Sequence, residues 1–102
     1  MALGKPSEPA LLVLVSLLEG PKHGYAIAQD IEGMTGRRLG PGTLYGAISR
    51  LEDAGLIEAE AAEARRKPYA LTATGRAEAR DEIQGMTALA GEARRRLKAA
   101  PA

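Results

Sequence analysis

Cysteine is absent from this chain, which removes disulfides, thiolate nucleophiles, zinc knuckles and iron–sulfur clusters together. Histidine occurs once, as His23, so there is no second imidazole for a metal site or a His pair. Phenylalanine and tryptophan are missing, and Tyr25, Tyr45 and Tyr69 are the only aromatics. The core must therefore be Leu, Ile, Val and Ala, a composition that suits small, closely packed helices. Excess charge is also lacking. The net charge is +1 at pH 7, so no overall positive field advertises nucleic acid or an anionic membrane. The longest apolar run, Ala10 to Leu18, is interrupted by Ser16 and falls well short of the roughly 20 residues a membrane helix needs. As a signal peptide it has only Lys5 before it, and Glu19-Gly20-Pro21 follows where a small-residue cleavage site belongs. These absences argue against hydrolase, redox and metalloenzyme chemistry. They leave no cofactor, metal or membrane partner to expect, and they place the chain in the cytoplasm.

What is present fits one domain. The 102 residues are 45% hydrophobic and 26% charged, enough apolar material for a single core and too much for wholesale disorder. The charge is unevenly placed. Residues 1–60 carry five basic and eight acidic groups, a net of −3, and residues 61–102 carry nine basic and five acidic, a net of +4. Three basic knots stand out: Arg37-Arg38, Arg65-Arg66-Lys67 and Arg94-Arg95-Arg96. Local clusters make an electrostatic footprint for phosphate where the average charge does not, although a solvated face is the ordinary fate of such runs.

Glycine and proline punctuate the chain. Ser7 can cap a first helix with Glu8 and Pro9 in its opening turn. That helix is apolar nearly all round, which predicts a place at the centre of the core, and Gly20-Pro21 stops it. A second helix reads from about Gly24 to Met34, with Ile27, Ile31 and Met34 as its apolar stripe. A third starts at Pro41 and ends at Gly55 as a left-handed cap, burying Leu44, Ala47, Ile48 and Leu51. Its opposite arc holds Gly42, Tyr45, Gly46, Ser49 and Arg50, a polar surface with little bulk. Gly46 costs about 1 kcal/mol relative to Ala inside a helix, a cost that a helix approaching another surface closely would tolerate. Leu56 to Leu71 is ambiguous: Glu58 to Arg65 is good helix sequence, whereas Pro68 and Tyr69-Ala70-Leu71 suit a strand. Local pattern supports helix and hairpin equally. The last segment runs from Thr72 to about Ala99, with Ala79, Ile83, Met86, Ala90, Ala93 and Leu97 in a heptad-like seam and Leu89 beside it. Such a helix spans about 40 Å, longer than this domain can cover, so the seam predicts a second copy of the chain.

Four short motifs in order resemble one family. His23-Gly24-Tyr25-Ala26-Ile27, Pro41-Gly42-Thr43-Leu44-Tyr45, Gly55-Leu56-Ile57, and Arg66 to Thr72 with Gly75-Arg76 resemble the corresponding motifs of PadR-like transcriptional regulators. The resemblance runs from about Leu11 to Arg76 and implies a mostly α, α+β winged helix. Its parts are a three-helix helix–turn–helix core, a two-stranded β-wing and a long C-terminal helix. It decides the ambiguous stretch in favour of a hairpin, and it implies a DNA-binding domain over residues 1–71 and a dimerisation helix over 72–102. The implied function is a homodimeric repressor that binds an inverted-repeat operator in double-stranded DNA. Short members respond to small aromatic or lipophilic effectors, in some through tryptophans at the dimer interface, a device this chain lacks. Two departures stand out: Gly40 replaces the family's frequent serine before the proline, and Gly46 its frequent proline after the tyrosine.

The resemblance and the residue chemistry together give a candidate DNA surface: Arg37, Arg38, Pro41, Gly42, Thr43, Tyr45, Gly46, Ser49, Arg50, Arg65, Arg66 and Lys67. Tyr45, Ser49 and Arg50 have donors suited to base edges, and the wing cations suit phosphate or a narrow minor groove. The plainer alternatives are packing of Tyr45 on the hairpin, and a solvated wing tip balanced by Glu58, Glu60 and Glu63. His23 is expected to bond to backbone at a helix start, and Arg94 to Arg96 to favour a helix C-terminus. The competing function class is a winged-helix protein adaptor without DNA contact. An enzyme would need a nucleophile motif that surrounds none of Ser7, Ser16 or Ser49.

Overall fold

The computed structural model describes residues 8–60 and 67–99, and within them glycine marks the element ends much as the sequence suggests. Helix α1, Glu8–Ser16, runs on into a 3-10 turn at Leu17–Glu19 that stops at Gly20. Ser7, the expected cap, lies outside the described residues. Val13, Leu14 and Leu17 are buried and α1 touches α2, α3 and α4, so it occupies the predicted central position. Helix α2 spans Gly24–Thr35, one residue beyond the expected Met34.

Helix α3 spans Pro41–Asp53. Its end is set by Gly55 at φ 76°, a left-handed conformation in which a Cβ would be strained. The Gly55 N–H donates to the Glu52 carbonyl (2.9 Å) and the Leu56 N–H to the Leu51 carbonyl (2.9 Å), the paired bonds of a Schellman end. Leu51 and Leu56 are both buried, which supplies the apolar contact of that motif.

Within Leu56 to Leu71 the described residues form two paired strands, and residues 61–66 lie outside the described residues. Strand β1, Ile57–Ala59, pairs antiparallel with β2, Tyr69–Leu71, in the register Ile57↔Leu71 and Ala59↔Tyr69. Lys22 adds a bridge on the other side of β2: its N–H donates to the Tyr69 carbonyl (3.0 Å) and accepts the Tyr69 N–H at its own carbonyl (2.9 Å). At Glu58 and Ala59 helix propensity loses to this pairing and to the burial of Leu56 and Ile57. Propensity differences are a few tenths of a kcal/mol per residue, about 0–0.7 for ordinary residues, and tertiary contacts readily exceed them.

Helix α4, Ala73–Ala99, is continuous through Gly85 and Gly91. Thr72 caps it, its hydroxyl accepting the Gly75 N–H at 3.0 Å. One expectation needs correction here. Ala79, assigned to the dimer seam, is fully buried in this chain's own core, because the first two turns of α4 pack on the body and touch α1 and β2. The seam that remains open begins at Ile83, which is half-buried, and runs out along a helix whose Met86, Leu89 and Leu97 are 46%, 70% and 78% exposed. The molecule measures 60 × 29 × 22 Å, and the free half of α4 accounts for its length. Three helices around one core, a hairpin wing and a trailing helix make up a winged helix–turn–helix.

Candidate nucleic-acid interface

Helix α3 divides cleanly. Leu44, Ala47, Ile48 and Leu51 are buried, whereas Pro41, Gly42, Thr43, Tyr45, Ser49 and Arg50 are exposed and Gly46 is half-buried. Every polar group expected on the outer arc therefore faces out. The first turn closes through the Leu44 N–H to the Gly40 carbonyl (2.9 Å), and no side chain caps it. The amide groups of that turn keep the partial positive charge that attracts anions.

The glycines of this helix are not required by packing among the described residues. There, a Cβ added at Gly42 would meet nothing within 4 Å, and at Gly46 it would meet only the Arg50 Nη1 at 3.6 Å. Gly24 is different: it is buried, and a Cβ there would collide with the Tyr45 phenol. Tyr45, 50% exposed, thus lies across the start of α2 instead of standing free. The hairpin is close by as well: Tyr69 is held above the usual phenol range by burial first, then by the charges of Glu52 and Tyr45. Residue spacing alone did not reveal this contact between the second and third helices.

The cations differ in how free they are. Among the described residues no carboxylate pairs with Arg50 or Lys67, both exposed. Arg37 pairs with Glu8 of α1, and Arg38 Nε lies 3.8 Å from Glu32 Oε1 of α2. Such exposed pairs are weak, yet they lower the net field of the connection between α2 and α3. Arg65 and Arg66 lie outside the described residues. Lys67 precedes β2, beside a Glu60 N–H to Pro68 carbonyl bond (2.8 Å) that carries the ladder one step toward the wing tip.

A part-buried polar cluster joining α1 and α2 did not show in the sequence pattern. The Ser16 hydroxyl donates to Asp30 Oδ2 (2.7 Å). Lys22 Nζ donates to the Ser16 carbonyl, to Glu19 Oε1 (2.8 Å) and to Asp30 Oδ2 (3.2 Å). The Ser16 bond, outweighing desolvation together with Lys22, holds Asp30 below the usual carboxylate range. For Lys22, burial lowers the pKa but the bonds to Glu19 and Asp30 prevail and raise it above the usual lysine value. Lys22 is thereby committed to joining α1, α2 and β2. The available signal was Ser16 itself, a lone polar residue in an apolar run. His23 also departs from expectation: its Nδ1 is buried and has no hydrogen-bond partner among the described residues. Its carbonyl closes the first turn of α2 by accepting the Ile27 N–H (3.0 Å), and the ring takes no part.

Among the described residues no three His, Cys, Asp or Glu side chains gather as a metal site, and no helix is long and apolar enough to cross a membrane. The fold and the outward polar face of α3 define the class, a winged helix–turn–helix regulator. The model of the PadR-like family of transcriptional regulators matches residues 13–81, and the chain belongs to that family. A 37.1 kDa protein of transposon TN4556 from Streptomyces fradiae is 42% identical over 87 residues, which cover 85% of this chain and 25% of that protein. The chain thus spans a quarter of that relative's length. A transcriptional regulator from Clostridium thermocellum is 27% identical with a TM-score of 0.74, over 85% of this chain and 87% of that one. A PadR family transcription regulator from Clostridium difficile shares the fold with a TM-score of 0.78 at 24% identity, over 89% and 99% of the two chains.

Proposed function

We propose that this chain is a cytoplasmic, non-enzymatic, sequence-specific DNA-binding repressor that acts as a homodimer on an inverted repeat. The observation that carries the reading is the outer face of α3: exposed Thr43, Tyr45, Ser49 and Arg50 around two glycines that no contact among the described residues requires. A helix with spare room and a free guanidinium fits the major groove closely. Arg65, Arg66 and Lys67 serve phosphate contact at the wing, and Arg37 and Arg38 flank the same backbone once released from Glu8 and Glu32. Residues 1–71 form the DNA-binding part and 72–102 the dimerisation helix. Ile83, Met86, Leu89, Ala90, Ala93 and Leu97 make the dimer seam, supported by the exposure of Met86, Leu89 and Leu97. Release by a small aromatic or lipophilic effector is supported by the family likeness alone.

The test separates reading from holding. Duplexes selected by the native chain from a random pool are compared with scrambled ones in competition titrations over a salt series. Arg50→Ala and Tyr45→Ala are expected to weaken selected DNA by about 1–3 kcal/mol per lost base contact and to leave scrambled DNA nearly unaffected. Arg66→Ala and Lys67→Ala should weaken both alike and flatten the salt slope by about one unit each. If none of the four changes either affinity, the protein adaptor replaces the regulator.

A further inference from the structure

The recognition helix and the long trailing helix meet at one residue. The Thr72 hydroxyl donates to the carbonyl of Gly55 (2.7 Å), the left-handed residue that ends α3, and accepts the N–H of Gly75 (3.0 Å) in the first turn of α4. The Thr72 N–H donates to the Leu56 carbonyl (3.1 Å). Gly75 is buried, and a Cβ on it would overlap that same Leu56 carbonyl. The first turn of α4 therefore rests directly on the backbone that leaves α3. No flexible side chain intervenes, and one hydroxyl holds both helices.

We propose that Thr72 and Gly75 fix the angle between α3 and α4, and so set the separation of the two recognition helices in the dimer and the half-site spacing it accepts. This rests on the dimeric DNA-binding reading above. Lever length gives the joint its importance. From Gly75 to Ala90 is about 22 Å of helix, so a rotation of about 10° at the joint moves the seam by about 4 Å. That displacement matches the rise of one base pair, about 3.4 Å. Packing on α1 and β2, with Ala79 buried, holds the first turns of α4 to the body, and the Thr72 hydroxyl ties them to the end of α3. Valine has the shape of threonine and keeps its backbone bond to Leu56, but it makes neither of the two hydroxyl bonds, whereas serine keeps both.

The absence of native cysteine allows two introduced cysteines to carry spin labels, Asp53→Cys on α3 and Ala88→Cys on α4, both at exposed positions. The labelled chain is diluted into excess unlabelled native chain, so the measured distance lies within one chain whatever the oligomeric state. A narrow distance distribution is expected for the native background and for Thr72→Ser. Thr72→Val should broaden it, and Gly75→Ala should displace it. In a second arm, the spacer of selected duplexes is changed by one base pair, which turns one half-site by about 34°. The native chain and Thr72→Ser should then lose about tenfold in affinity, and Thr72→Val less than about threefold, because a loosened joint tolerates the change. An unchanged distribution in Thr72→Val overturns the proposal, and so does a broadened one with the native spacer profile. If the native chain selects no duplex, the DNA-binding reading and the spacing role fall together, while the label distances still decide whether Thr72 and Gly75 hold the helices.

Discussion

The body of this molecule and the outer half of α4 use similar residues to opposite effect. In the body, Leu14, Ile27, Ile31 and Ile48 are shielded almost completely, whereas Leu89 and Leu97 on α4 are 70% and 78% exposed. A buried leucine contributes about 1.5–3 kcal/mol over an exposed one, a gain the outer leucines forgo in a lone chain. The outer helix is supported instead by pairs such as Glu92 Oε2 with Arg96 Nε at 2.8 Å, which contribute little in water. One region is folded by its own contacts. The other presents apolar side chains that the chain's own body leaves uncovered.

The largest expected effects test that contrast. Leu14→Ala should cost about 2–5 kcal/mol, because it opens a cavity in a packed core, and the loss should not depend on protein concentration. Leu97→Ala should cost less than about 0.5 kcal/mol in dilute solution, as exposed substitutions do. At high concentration it should lower the melting temperature, since a dimer is stabilised by mass action. Ile83→Lys combined with Leu97→Lys should abolish the concentration dependence by placing unpaired charge in the seam. Melting curves over a concentration series, with sedimentation, provide the check. A native chain that sediments as a monomer and melts at one temperature throughout would erase the contrast.

A smaller effect lies within the body, where Asp30 and Lys22 tie α1 to α2. Asp30 has its pKa lowered in the folded state. Its stabilising contribution is therefore complete above the unfolded carboxylate value, about 3.9, and is lost as pH falls through the folded value. Asp30→Asn should lower stability at pH 7 by about 1–3 kcal/mol, the usual cost of leaving partly buried partners unsatisfied. Below about pH 4 the variant should lose less stability than the native chain on further acidification. Urea melts from pH 7 to pH 3 measure both. Parallel acid limbs would show that the cluster carries no charge-dependent stability.

The two regions were also unequally legible in the sequence. The buried face of α3 and its Gly55 end followed from period and cap residues, which are local signals. The hairpin did not, because its strands pair residues far apart in sequence, such as Ile57 with Leu71, and the bridge beside it joins Lys22 to Tyr69, 47 positions apart. The Ser16–Lys22–Asp30 cluster was hidden for the same reason, with hydrogen bonds linking residues outside any helical period. Ala79 was misplaced because a heptad seam reads the same whether its partner is another chain or the chain's own α1. Tyr45 lies across Gly24, so two of the four motifs that suggested the family also touch in space. That contact belongs to packing, and composition could not express it.

A small stabilising effect bears most directly on the candidate interface. Among the described residues a Cβ at Gly46 has room, with the Arg50 Nη1 at 3.6 Å as its only neighbour within 4 Å. Gly46→Ala should therefore stabilise the free protein by about 0.5–1 kcal/mol, the propensity gain in a helix interior. Were α3 merely a solvated helix, nothing would oppose that gain. If α3 lies close against DNA, the added methyl meets the duplex and weakens binding while the chain itself becomes more stable. Gly24→Ala supplies the opposite case, since its methyl must displace the Tyr45 phenol and should bring no such gain. Melting temperature and affinity for selected duplexes, measured on the same preparations, give the sign of each change. A Gly46→Ala variant that is more stable and binds DNA as tightly as the native chain would show that this glycine faces open solvent in the complex, and would move the close approach toward Gly42 and the first turn of α3.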